Sequence, residues 1–375
     1  MSKTLSLGIA ATLVPVTSAA LASDSSDRAP VVYVIPMTGQ MGTDIHPTIY
    51  EDVIKDAKAV DPDLVIFRLD SADIDNNFHI QNDDRSEAGI WGNIEVYRDL
   101  MMDLQTQLPV DKSKQIMWIE DAVGASSLMA MSWPKIYMTE GARLWGLDAV
   151  QRFADGWDDP DVRAKMYAAW VGIATGFPQS GGFSMELSNA MIEPQHDLGV
   201  KFDGRDVVFS NNLKGTVWTI DSNNKAVARF DSDSAEQVML SQGTVQNLDD
   251  LMFLLGHREY ETAESGVKLV DDYKETWRRT LERCESWLKD ARDRQAGGTM
   301  ADIGAAKNSL EKVLKAGQRY PAVAARLRSD YGIDLFNLET QIETMKRQIA
   351  ESRRNGRNGR GGGGRSSRGG NGLGP

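Results

Sequence analysis

The chain has 375 residues, 41% of them hydrophobic, and a formal net charge of −12. That is room for one large α/β domain plus an accessory region, and enough apolar content to exclude a chain disordered throughout. The acidic balance disfavours nucleic acid as partner of the whole molecule, and a single cysteine, Cys284, excludes an internal disulfide framework.

Residues 1–23 read as an export signal: Lys3, the apolar run LSLGIAATLVPV, then TSAALA with Ala20 and Ala22 in a small-x-small cleavage pattern. A short membrane anchor is the other reading, against which Pro15 and the modest length count. The expectation is an exported protein of the periplasm or cell envelope, or a secreted one. No later segment reaches ~20 uninterrupted apolar residues, so no transmembrane segment is expected in the mature chain.

The run VVYVIPMTG at 31–39 predicts a buried strand ended by glycine. In TIYEDVIKDAKAV, Ile49, Val53, Ile54 and Ala57 fall on one helical face. DLVIFRLD predicts a second buried strand, a polar loop follows, and a helix over 91–108 precedes the strand KQIMWI at 114–119. Strand and helix alternating in units this short predict an α/β fold, a parallel sheet with crossover helices. Functional groups then gather where strands end, here the loops at 71–75 and 122–127.

From 196 to 230 the texture changes. β-formers alternate with Asp-Gly, Asn-Asn and Lys-Gly turn signals, which predicts a small β-hairpin insertion. Beyond Gly256 the pattern is purely helical through 351. Val270, Tyr273, Trp277, Leu281, Cys284, Leu288 and Ala291 step by threes and fours, and Cys284 takes a structural role on that face. Leu335, Leu338, Ile342, Met345 and Ile349 form a coiled-coil-like seam, expected to pack as a helical hairpin or to recruit a partner helix.

The tail, 352–375, is low-complexity, cannot bury a core and is expected to be disordered. It carries six arginines and no acid, so the chain before it holds −18 of a total of −12. Weak polyanion contact is one expectation for it, plain solvation another. His46, His79, His196 and His257 are scattered without ligand spacing, and HIQNDD and DGWDDPD lack the EF-hand pattern. No phosphate-cradling or dinucleotide turn is present; neither a cofactor nor a metal is expected.

Taken in order, VVYVIPMTGQM, TIYEDVIKDAKAVDPDLVIFRLD, SADI, VGASSLMAMSWPKIYMTEGARLWG, NAMIEP and DSAEQVMLSQGTVQNLDDLMFLLG resemble successive pieces of the ClpP-class serine peptidases of the crotonase-like fold. The NfeD and signal-peptide-peptidase A groups are the most similar. The resemblance spans residues 30–256 and implies a ClpP/crotonase-like domain there. It also implies where catalytic parts would stand. The oxyanion loop, built in that family on two glycines, reads Asp73 and Ile74 here. A carboxylate would oppose a developing oxyanion by about 4 kcal/mol at ~4 Å and an effective dielectric of ~20. Without gaps, Gly124 occupies the nucleophile position. Sliding the alignment by two residues makes Ser126 the nucleophile, with Ser127 a weaker choice. The other reading has both serines capping the helix that begins there. The general base would be a lysine, with Lys165 the candidate and an ordinary surface lysine the alternative.

Three functions remain open at this point. One is a non-catalytic pseudopeptidase that binds a peptide or protein and assembles as a homo-oligomer or through a coiled-coil partner. The second is an active exported serine endopeptidase with a Ser126–Lys165 dyad. The third is an envelope scaffold attached through its basic tail.

Overall fold

The computed structural model describes residues 28–71, 94–145, 158–204 and 206–360, with side chains through 354. Strand β1 (Val31–Thr38) is buried along its middle, as the uninterrupted run VVYVIPM requires of a strand covered on both faces. The two-residue repeat sends Tyr33, Ile35 and Met37 into the main core and Val32 and Val34 into a smaller core on the other face. Helix α1 (Pro47–Val60) starts with proline in its first turn and the His46 ring accepting the Thr48 N–H. It buries Ile49, Tyr50, Val53, Ile54 and Ala57.

Strand β2 (Leu64–Ser71), helix α2 (Ile94–Gln107) and strand β3 (Gln115–Val123) repeat the unit. β1, β2 and β3 pair in parallel, with Thr38 opposite Asp70 and, after an irregularity at Leu69/Asp70, Asp70 opposite Asp121. A one-turn helix α3 (Ala125–Ala130) leads to β4 (Ile136–Met138) and β5 (Arg143–Trp145). The start of β3 pairs with β4 and its end with β5, both in parallel.

Helices α4 (Pro160–Gly181) and α5 (Met185–Ile192) follow, then β6 (Leu198–Asp203), β7 (Asp206–Ser210) and β8 (Trp218–Asp221). These strands form a three-stranded antiparallel sheet in the order β7-β6-β8. The expected hairpin therefore gains a third strand, because Gly199 admits Thr216 and Trp218 against its backbone where a Cβ would collide. Strand β9 (Phe230–Asp231) closes the main sheet antiparallel to β5 and leads into α6 (Ser232–Gln237) and α7 (Leu248–Leu254).

The region beyond Gly256 is not purely helical. β10 (Glu261–Ala263) pairs in parallel with the outer edge of β1, giving the main sheet the order β10-β1-β2-β3-β5-β9. Three residues of strand are too few to display a period in sequence. Helices α8 (Ser265–Gly297), α9 (Met300–Arg319), α10 (Pro321–Tyr331) and α11 (Leu335–Arg360) then build an arm with its own core. The seam residues Leu338, Ile342 and Met345 are buried in it, against α9. Cys284 is buried there too, and burial pushes its thiol up to about 11, as an inert core sulfur requires. Helix α11 passes residue 351, the expected end of helix, and continues through Arg360: extending a packed helix fixes one residue per hydrogen bond, a far smaller cost than nucleation. Among the described residues no helix is long and apolar enough to cross a membrane.

Candidate functional site

The turn between β3 and α3 is set by Gly124, whose φ of 78° and ψ of −136° form a backbone that L side chains rarely adopt. A serine at this aligned nucleophile position would be strained. Ser126 is 1% exposed, and its Oγ lies 2.8 Å from the Ser71 carbonyl and 3.0 Å from the Val123 carbonyl. The Ser127 Oγ, fully buried, likewise donates toward Trp145 O at 2.7 Å and Ala122 O at 2.9 Å. Neither hydroxyl caps α3. Its N-cap is Gly124, with no side-chain cap bond, so the capping expectation is corrected. Both serines instead hold the first turn of α3 against the ends of β2, β3 and β5.

This bracing continues outward. Ser71 Oγ donates to Gly39 O at 2.7 Å, and the Gly39 N–H donates to Asp70 O at 2.8 Å. Lys165 lies on α4 in an exposed stretch, whereas the buried side of that helix begins at Trp170. Among the described residues no hydrogen bond joins Lys165 to Ser126. Asp73 and Ile74 lie outside the described residues. Among the described residues, two lysines, Lys112 and Lys274, are held below the usual lysine pKa by burial. Lys112 donates to the Ser180 carbonyl and lies 3.5 Å from its hydroxyl, and Lys274 donates to the Thr38 hydroxyl.

Around the strand ends lies a set of charges contributed partly by the arm. Arg278 of α8 pairs at 2.9 Å with Asp44, which also accepts the Gln40 N–H at 3.1 Å. Tyr273 donates to Thr43 O at 3.3 Å, and Arg326 of α10 to Gln40 Oε1 at 3.3 Å. Asp121 is held by Arg143, and Arg68 pairs with Glu120 at 2.9 Å. Burial, then the charges of Glu120 and Asp121, raise the Asp70 carboxyl above its usual pKa. Sequence reasoning missed Lys274, Arg278 and Asp44, which meet across more than two hundred residues. Their only local signal was a charged face on α8.

Against the opposite sheet face from α1 lies a groove of about 700 Å³. Its floor is Val34 and Trp118, and its apolar walls are Leu248 and Val267. The Trp118 indole donates to Thr139 Oγ1 at 3.0 Å, and the Arg68 guanidinium lies 5.6 Å from its ring centre. Chemically, this region offers a built recess with charged walls, and a serine turn whose hydroxyls are committed to carbonyls.

No protein-family model matches the chain, and no curated protein matches it. Among solved structures, two forms of a 1510-N membrane-bound stomatin-specific protease are similar. One is a lysine-to-alanine variant in complex with a substrate peptide, the other a serine-to-alanine variant. Each is 12% identical with a TM-score of 0.35, and the match covers 60% of this chain and 80% and 85% of theirs. At that identity and score the likeness assigns neither family nor chemistry.

Proposed function

We propose that this chain is an exported ClpP-like pseudopeptidase: a non-catalytic protein that binds a peptide or protein partner and assembles through its folded body and helical arm. The observation that carries this reading is Ser126, buried with its hydroxyl aimed at two carbonyl oxygens while Lys165 lies exposed on α4. A nucleophilic serine needs a base positioned to take its proton, and a carbonyl cannot serve as one. The leader-like residues 1–23 support export. The order of strands, helices and serine turn supports the ClpP-like ancestry. The test is hydrolysis of a fluorogenic peptide library and of denatured casein by the purified mature protein. Turnover is expected to be no higher than that of Ser126→Ala. Turnover abolished by Ser126→Ala or by Lys165→Ala would establish the active endopeptidase instead.

A further inference from the structure

The groove over Val34 and Trp118 is walled by more acid than base. Glu120, Glu264, Asp271 and Asp272 line it, against Arg68 and Lys268. Arg68 is already paired with Glu120, whereas Glu264, Asp271 and Asp272 have no ion-pair partner among the described residues. The Trp118 indole is buried and already carries the Arg68 guanidinium over its ring, so the carboxylates of the wall are what suit an incoming guanidinium, which bridges carboxylates through its fork of N–H donors. The chain itself carries such a ligand. Residues 352–375 hold six arginines and no acid; four of them lie on α11, and two, Arg365 and Arg368, follow it in GGGGRSSRGGNGLGP. Its glycines present no side chains to keep the backbone out of a recess.

We propose that the arginine-rich tail of one copy docks in this groove of a second copy, linking the molecules head to tail. This rests on the assembly half of the function proposed above and names its partner and site.

Geometry favours a second copy over the molecule's own tail. The groove wall is the start of α8, a helix of 33 residues and so about 50 Å long. Helix α9 runs back along it, since Asp290 meets Ser309, and α11 runs outward again, since Lys346 meets Glu311 and Arg353 lies beside Met300. The tail therefore leaves from the far end of the arm. The fifteen residues after Arg360 span about 50 Å only when fully extended, so a contact within one molecule would demand a taut chain.

The test is sedimentation velocity on the full mature chain at about 20 mM and about 300 mM salt, since screening separates the two conditions. The wild type is expected to associate with rising concentration at low salt and to dissociate at high salt. Asp271→Lys with Asp272→Lys, both exposed and so tolerant of change, is expected to weaken association about tenfold or more. Arg365→Glu with Arg368→Glu should do the same, and mixing the two charge-reversed proteins should restore association between them. Association unchanged by the groove substitutions would overturn the proposal and leave assembly through another face. A monomer at every concentration would overturn both this proposal and the assembly reading. Tail variants that lose binding to long-chain polyphosphate, with self-association unaffected, would assign the tail to a polyanion instead.

Discussion

Ser126 and Ser127 each place a buried hydroxyl between two carbonyl oxygens, and truncating one leaves the hydroxyl's hydrogen bonds unmade in a buried place. Ser126→Ala is therefore expected to cost about 1–2 kcal/mol, read as a lower urea midpoint with unchanged slope. An unchanged midpoint would remove the bracing role. Asp70 makes the opposite contribution. Its folded pKa lies above the ordinary 3.8 because burial and then Glu120 and Asp121 disfavour its charge. The folded chain thus holds this proton more tightly than the unfolded one, and stability falls as pH rises from 3.8 through the folded value. Asp70→Asn should remove that loss. The variant should be more stable than wild type at pH 7, and the two should converge below the ordinary carboxylate value. Urea unfolding across pH checks this, and a variant less stable at neutrality contradicts it.

At the scale of elements, β1, β2 and β3 were legible because burial on both faces leaves uninterrupted apolar runs such as VVYVIPM and LVIF. Strand β10 and the third strand of the small sheet were not, since three or four residues carry no period and their pairing is decided by distant partners. The serine turn was legible as a place but not as a role. In sequence Ser126 reads as nucleophile or helix cap, with Ser127 the weaker nucleophile, and the bracing role emerges only when the carbonyls of Ser71 and Trp145 are brought beside them. Helix α8 was legible as a helix, but its grip on the β1–α1 loop through Tyr273, Lys274 and Arg278 was not. Its docking on β1 depends on Gly266, where a Cβ would stand 2.7 Å from the Tyr33 ring. That ring cannot easily give way, because its hydroxyl donates to Asp56 at 2.7 Å. Gly266→Ala is expected to destabilise by about 1–3 kcal/mol in thermal or urea unfolding. A neutral result would show that α8 is free to shift on β1.

Across the whole molecule, α8 belongs to two cores at once. Val270 is buried with the sheet, Trp277 and Cys284 with the arm, and Tyr273 touches both. The arm is thus part of what completes the sheet, through β10 on the edge of β1 and through the clasp on Asp44. A chain ending at Gly256 should lack the sharp near-ultraviolet circular dichroism transition of the full protein, whereas retention of that transition would make the sheet independent of the arm.

The same architecture bears on the pseudopeptidase proposal, since the strand ends are occupied by bracing serines and by charges paired with the arm. The most direct measurement is labelling of the intact mature protein with a fluorophosphonate probe, beside Ser126→Ala and Lys165→Ala variants. Labelling of the wild type is expected to be no greater than that of Ser126→Ala. Stoichiometric labelling that disappears in Ser126→Ala, or in Lys165→Ala, would contradict the proposal.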